Sequence, residues 1–414
     1  MECNYHLATT PDSSPKRRAG RPRKHWSISP AESTETCPPG THIRQGDSAT
    51  SISAASTGLS RQDIPGVAGP ASATFSSTDL ELLLHFSTHT GPSIAGSQDP
   101  DHIIGHFWAH NVPQLGLSYD VVLHLAYALA AHHLAHLQLG RPGSSRDDLL
   151  RYRGLAECHQ QAGLSRVISL LPCVNAENSP AVYMSSMMVF YCILANGPTG
   201  PGDLLVCSLD SDIDERACQQ YVPLVQGVKT IRHAFLQDVL SSDLLKPLRW
   251  TEQGPRDLRP SFIEYGFPRL DWAVPLERLR GFITGRTSSE NSREKSVYRD
   301  QRNLVLLQAF DVLRDTYEST FGQDEDPEAV VCPKSKFIFL WLYVMEDDFI
   351  NLVREADPAA LLLLAYYSLL FKTMKTAWYL DGWTEHLLLR IGSVMQRHGF
   401  ADWMQWPMDM AGLS

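Results

Sequence analysis

A short segment near the start of the sequence has the residue types that bind phosphate groups. Six of the nine residues 16–24 are basic and none is acidic, in a chain whose formal net charge is -10. Arginine and lysine form charge-assisted hydrogen bonds with phosphate oxygens, so any attraction of this acidic chain to nucleic acid has to come from such a local patch. The candidate DNA-binding residues are Lys16, Arg17, Arg18, Arg21, Arg23 and Lys24.

The Gly20-Arg21-Pro22 core of this segment resembles an AT-hook. In that motif an extended Gly-Arg-Pro stretch lies in the narrow minor groove of A·T-rich DNA, where negative potential attracts arginine. Ala19 stands where the hook usually has arginine. A nuclear localisation signal, or a solvated basic tail, explains the same residues equally well. A hook and an import signal both predict a nuclear protein.

Four histidines share the apolar stretch after Ser118: His124, His132, His133 and His136. His132 and His136 have the i, i+4 spacing that could place both imidazoles on one metal ion. No glutamate follows His132 as in the H-E-x-x-H motif, and the neighbours are alanine and leucine. The pattern therefore favours histidines that pack between helices and form hydrogen bonds over a metal site.

Soft and aromatic side chains form two groups that could line a pocket for a greasy ligand. The same residue types fill an ordinary helical core, and we favour the core. The candidate pocket residues are Met184, Met187, Met188, Phe190, Tyr366, Tyr367 and Trp378. No nucleophile elbow, P-loop or dinucleotide fingerprint is present, and Glu346, Asp347 and Asp348 have no acid–base partner in the sequence. We therefore expect no enzyme.

The elements that must position these residues are helices. From residue 75 onward apolar residues recur with helical spacing, whereas 13–74 is rich in Ser, Thr, Pro, Gly and Ala and predicts a disordered linker. We expect one all-α domain over 75–414, with about ten helices and a helix N-terminus capped by Ser77, Thr78 or Asp79. The predicted helices are 146–171, 180–195, 214–240, 268–284, 296–320, 335–355, 358–380 and 382–399, besides the long one after Ser118. No apolar run predicts a membrane span.

Several segments together resemble the regulatory domain of fungal zinc-cluster (C6) transcription factors, of the sterol uptake control type. In chain order they are Thr78–Phe86, Trp108–Pro113, Leu129–Ala135, Tyr221–Val228, Asp357–Leu361, Leu364–Trp378 and Trp406-Pro407. The resemblance covers most of 75–414. It implies a nuclear regulator of RNA polymerase II transcription, whose helical domain senses a signal and often mediates homo- or heterodimerisation. Some members bind a sterol there, so a sterol or another lipid is an expected partner.

Residues 1–12 resemble a remnant of the family's DNA-binding module. Cys3, followed two residues later by Tyr5, looks like the last cysteine of a binuclear zinc cluster. A complete cluster needs six thiolates to hold two zinc ions, and 1–12 supplies one. We therefore expect no cofactor in this chain, and two zinc ions only if an upstream zinc cluster exists.

Three functional hypotheses follow from the resemblance. The first is a regulator of lipid or secondary-metabolism genes that contacts DNA through 16–24 or through the missing zinc cluster. The second is a clusterless interaction protein that dimerises with an intact zinc-cluster factor and modulates it. The third is a soluble lipid-binding protein without a role at DNA.

Overall fold

The computed structural model describes residues 76–96, 102–143, 145–209, 234–248, 270–285, 293–322, 335–374 and 376–413. All of them belong to one unit, Ser72–Ser414. Among these residues the ordered elements are helices, and the extended pairing present is a single isolated bridge between Asp203 and Ser208. The predicted all-α fold is confirmed.

The first two helical rods each contain a π-helix. In the first, α1 (Ser77–His85), a π-helix (Phe86–Thr90) and α2 (Gly91–Ile94) follow one another. In the second, α3 (Ile103–His106), a π-helix (Phe107–Asn111) and α4 (Val112–Ser118) do the same. The predicted cap of α1 was wrong by one residue. Ser76 is the N-cap and forms a reciprocal capping box with Asp79, so Asp79 is its partner at the third helical position.

The long apolar helix predicted after Ser118 is α5 (Asp120–Leu139), the centre of the N-terminal half. It packs against α6 (Arg146–Leu170), α7 (Ser179–Asn196) and α1. Side chains almost all round α5 are buried, as expected for a helix with neighbours on several faces. A further helical stretch covers 234–241.

The C-terminal half is a second group of packed helices. They are α8 (Ala273–Gly285), α9 (Arg293–Phe321), α10 (Ser335–Val344), α11 (Asp347–Arg354), α12 (Pro358–Leu369), α13 (Trp383–Arg397) and α14 (Gln405–Ala411). Helix α12 is buried along its whole length and contacts α9, α8, α13 and α14. One continuous apolar core includes residues from Leu82 in α1 to Met404 near α14.

Two predicted helices are broken in the structure. The predicted helix 335–355 ends at Val344, and α11 begins after Glu346, whose backbone is extended. The predicted helix 358–380 ends at Leu369, followed by 3-10 turns at Leu370–Thr373 and Trp378–Leu380. Within the described residues, every helix is too short or too polar for a membrane span.

Several predictions concern residues outside the described ranges. These are the zinc-cluster remnant 1–12 with Cys3, the linker 13–74, the basic segment 16–24, the family segment Tyr221–Val228 and most of the predicted helix 214–240.

A candidate site built from histidines and aromatic rings

Histidines from the first helical rod meet histidines from α5 and a tryptophan from the turn after α12. We call these five residues the histidine–aromatic cluster: His85, His89, His133, His136 and Trp378. Ring centroids lie 5.0 Å apart for His85 and His89, and 5.1 Å apart for His85 and His133. The rings of His85 and His89 are stacked because the two residues lie four apart at the start of a π-helix.

His133 is the central member of the cluster and is 7% exposed. Its ring lies parallel to the indole of Trp378, with centroids 4.7 Å apart and planes 14° apart. Its Nδ1 is 3.1 Å from Oγ1 of the buried Thr90, which holds one ring nitrogen in a fixed hydrogen bond. Burial, together with the nearby His85, His136 and His89, lowers the pKa of His133 to about 3. The ring is therefore neutral at physiological pH.

His85 carries a polar atom without a hydrogen-bond partner. Its Nε2 is buried and no donor or acceptor reaches it. Burial lowers the pKa of His85 to about 4, the charge of His89 adds to this, and Glu81 opposes it. Glu81 itself is bound to Arg151 Nη2 at 2.9 Å and to the Tyr152 hydroxyl at 2.8 Å. These partners on α6 take up much of the negative charge that could stabilise a protonated His85.

Trp378 joins the cluster to the first rod and to α7. Its Nε1 donates a hydrogen bond to Ser93 Oγ at 2.9 Å. Its neighbour Tyr379 packs edge-on against Tyr191, with centroids 5.1 Å apart. Tyr191 in turn packs edge-on against Trp108, at 5.5 Å. A continuous path of ring contacts therefore runs from His85 through Trp378 to the second π-helix.

The end of the first π-helix meets the second π-helix beside Gly91, the first residue of α2, where only glycine fits. A Cβ added to Gly91 would lie 2.9 Å from the backbone carbon of Trp108 and 3.0 Å from the backbone nitrogen of Ala109. The absence of a side chain lets the two rods touch directly beside the cluster. Short π-helical segments occur frequently at functional sites, and both of these adjoin the histidine–aromatic path.

The four predicted histidines of α5 separate into different surroundings. His124 Nδ1 is 3.1 Å from His159 Nδ1, and His132 Nε2 is 3.1 Å from Gln160 Oε1, so both face α6. His133 and His136 contact the ring of Trp378 instead, and His136 Nε2 lies 3.7 Å from Asp381 Oδ2. The i, i+4 pair His132 and His136 therefore has separate partners. In the described part of the chain, no three His, Cys, Asp or Glu side chains are arranged to hold a metal ion.

The candidate pocket residues occupy two neighbouring places in the core. Met184 and Met188 are fully buried in α7, and the partly buried Met187 and Phe190 pack against that core. Phe190 contacts Phe339 edge-on at 5.3 Å. This wall reaches Trp378 through Tyr191 and Tyr379.

The other two pocket candidates lie deeper in α12. Tyr367 stacks on Trp341 at 4.2 Å and donates a hydrogen bond to the Ile338 carbonyl oxygen at 3.0 Å. Tyr366 packs on Trp406 at 4.9 Å. All these rings are used in packing contacts with other side chains.

A cleft is present elsewhere, at the break between α10 and α11. Its volume is about 120 Å³, and it is lined by Val305, Gln308, Ala309, Val312, Trp341, Val344, Met345, Glu346 and Phe349. Sites for drug-sized ligands usually have about 300–1,000 Å³. Of the seven predicted pocket residues, none lines this cleft.

Sequence reasoning missed His85, His89 and His159 as members of these groups. His85 and His89 have the i, i+4 spacing that places two rings on one helix face, so their pairing could have been predicted. Their meeting with His133 joins residues far apart in the sequence and could not.

No protein-family model matches the chain, and a search among curated proteins gives no match.

Proposed function

We propose that this protein is a nuclear transcription regulator whose helical unit resembles the regulatory domain of fungal zinc-cluster factors. One observation carries the proposal: family-like segments far apart in the chain meet along the path of ring contacts that runs from His85 through Trp378 to the second π-helix. His85 belongs to the first segment, Trp108 to the second and His133 to the third, while Trp378 ends the sixth. The contacts His85–His133, His133–Trp378 and Trp108–Tyr191 link them through shared rings.

The last segment of the resemblance also joins this arrangement. Trp406 packs on Tyr366, which lies in the segment Leu364–Trp378. These contacts join segments that are far apart in the sequence, and they support the proposal. The all-helical architecture agrees with the same reading.

The proposed partners follow from the resemblance and from the basic segment. DNA would be contacted through Lys16–Lys24 or through a zinc cluster on this protein or its partner. The proposals of a homo- or heterodimer and of a sterol or other lipid as the signal rest on the resemblance alone. The regulated genes would belong to lipid or secondary metabolism.

The alternative of a clusterless partner protein has one structural feature in its favour. Leu80 and Leu84 lie one turn apart on α1 and are 55% and 66% exposed. Apolar side chains at that spacing suit a helix that packs on a second helical protein. A Leu80→Glu/Leu84→Glu variant that loses self-association or binding to an intact zinc-cluster factor, while unfolding at the same temperature, would favour this alternative.

The proposal is tested by locating the tagged full chain in fungal cells and crosslinking it to chromatin. We expect nuclear accumulation and recovery of promoter fragments. A variant with Arg17, Arg18, Arg21 and Arg23 changed to Ala should lose accumulation, promoter recovery or both. The matched control changes Arg397, Arg354, Arg314 and Arg280, basic residues of the acidic helical unit, to Gln. A wild-type chain that stays outside the nucleus and recovers no promoter DNA would overturn the proposal.

A further inference from the structure

The contact between the first helical rod and α5 is built around imidazole side chains and one indole. His85 and His89 come from the rod, His133 and His136 from α5, and Trp378 closes the cluster from the turn after α12. Imidazole is the side chain whose ordinary pKa lies between pH 5 and 8. Four imidazoles thus lie at this contact, while Asp79 and Glu81 on α1 contact His159, Arg151 and Tyr152 of α6.

Geometry makes the neutral form of these rings the one that fits. The buried Nε2 of His85 has no acceptor, so in the doubly protonated, charged ring its N–H would be a buried donor without a partner. His133 faces His85 on one side and the indole of Trp378 on the other. Two protonated rings with centroids 5.1 Å apart would repel each other.

The acidic groups around the cluster offset this repulsion only in part. On α1, Glu81 is already bound to Arg151 and Tyr152 of α6. In the turn after α12, Asp381 lies near His136 and not near His85. Beside the cluster on α5, His132 is bound to Gln160 of α6, where Arg153 adds positive charge. The face of Trp378 attracts a cation on His133 by about 0.5–2 kcal/mol. The free-energy cost of burying that charged ring is larger than this attraction.

We propose that the histidine–aromatic cluster is a proton-operated contact that holds α1 and its π-helix on α5 at neutral pH and opens more often as the pH falls to about 5.5. On release, His85 and His133 regain water and take up protons with ordinary affinity. The rest of the helical unit, centred on α12, stays folded. This inference concerns the helical unit by itself and does not depend on the proposed role at DNA.

The size of the effect follows from proton linkage. A histidine that is neutral in place but has an ordinary pKa of about 6.5 when released weakens the closed state about tenfold at pH 5.5. His133 and the less deeply buried His85 together should weaken it about ten- to a hundredfold. The lowered pKa values of both rings, about 3 for His133 and about 4 for His85, agree with this estimate.

The test is amide hydrogen exchange of the full chain at pH 7.5 and pH 5.5, corrected for the intrinsic pH dependence of exchange. We expect protection of amides 82–90 to fall about ten- to a hundredfold at pH 5.5, while protection of 359–369 in α12 stays constant. His85→Met fills the place of a ring whose Nε2 has no partner, and His133→Asn keeps a hydrogen-bonding group near Thr90. The double variant should lose the pH effect.

A matched control separates this cluster from histidines in general. His110→Asn changes an exposed histidine in the second π-helix and should leave the pH effect of the wild type intact. The single His85→Met variant should reduce the effect and serves if the double variant does not fold. Equal protection of 82–90 at both pH values in the wild type would overturn the proposal, as would an undiminished loss of protection in a folded double variant.

Discussion

The imidazole of His133 lies parallel to the indole of Trp378, with ring centroids 4.7 Å apart. The same indole donates a hydrogen bond to Ser93 Oγ in α2. One side chain from the turn after α12 is therefore stacked on the central helix and bonded to the first helical rod. This arrangement ties the two ends of the helical unit together and leads to the first prediction.

Replacing Trp378 should destabilise the protein strongly. Trp378→Ala removes the stacking on His133 and leaves a cavity, for which we expect a loss of about 3–5 kcal/mol in the free energy of unfolding. Trp378→Phe keeps an aromatic ring but loses the bond to Ser93, and should cost about half as much. Urea unfolding followed by circular dichroism measures both. Equal stability of wild type and Trp378→Ala would show that the stack contributes nothing.

Acidification should lower the global stability through several buried histidines. Burial is the largest cause of a lowered pKa for His85, His124, His132, His133 and His159. The unfolded chain binds more protons than the folded one below about pH 6.5, so stability is complete above that pH and falls as pH drops towards the folded pKa values.

The expected size is measurable by urea unfolding at several pH values. Going from pH 7 to pH 5.5 should cost about 1 kcal/mol for His133, with further losses in the same direction from the other histidines whose pKa burial lowers. The dependence of the unfolding free energy on pH should become weaker in His133→Asn and stay unchanged in His110→Asn. A stability that rises on acidification over this range would have the wrong sign.

A largely buried ion pair in the C-terminal half should matter more than an exposed one. Arg302 binds both carboxylate oxygens of Asp357, Nε to Oδ2 at 2.7 Å and Nη2 to Oδ1 at 2.8 Å. Asp357 also caps α12, because its Oδ1 accepts hydrogen bonds from the backbone N–H groups of Ala359 and Ala360. Asp357→Ala should cost about 3–5 kcal/mol because it leaves Arg302 unpaired and removes the cap.

Two variants separate the ion pair from the cap. Asp357→Asn retains a capping oxygen and should cost less than Asp357→Ala. Asp120→Ala breaks the exposed ion pair with Arg166, in which the side chain of Arg166 is 40% exposed and that of Asp120 is 70% exposed. This variant should cost about 0–1 kcal/mol in the free energy of unfolding. Thermal unfolding ranks the three variants, and an equal loss for Asp120→Ala and Asp357→Ala would contradict this reading.

The contact between the two π-helices depends on Gly91. Gly91→Ala would push a methyl group against the Trp108 backbone, which has no free side-chain end to move aside. We expect a loss of about 2 kcal/mol or more. Gly392→Ala in α13 is the control, because a Cβ there meets no atom within 4 Å and should stabilise the helix by about 0.5–1 kcal/mol. A neutral Gly91→Ala would mean that the rods can separate without cost.

The helices with strong periodicity could be predicted from the sequence, and the breaks between them could not. Residues 146–171 and 180–195 were predicted close to the observed α6 and α7. The helix predicted over 335–355 is interrupted at Glu346. This break could not be predicted, because no glycine or proline marks the position and apolar residues continue on both sides of it. Similarly, apolar residues run on past Leu369 although the backbone turns at Met374.

The candidate site shows where local patterns stop being informative. The helix content of α5 follows from its sequence, but the direction in which each of its histidines points depends on the packing of α1 and α6. His132 and His136 look like a pair in the sequence and have separate partners in the fold. Trp378 was a pocket candidate, with an ordinary core as the favoured alternative, and its ring is stacked on His133, a contact that no local spacing encodes.

The most direct measurement of the proposed function tethers residues 72–414 to an unrelated DNA-binding domain upstream of a reporter gene in fungal cells. We expect the reporter output to differ clearly from that of the DNA-binding domain alone. We also expect that Trp378→Ala reduces the change, while Gly392→Ala preserves it. An unchanged reporter, with the fusion folded and present at the promoter, would contradict the account.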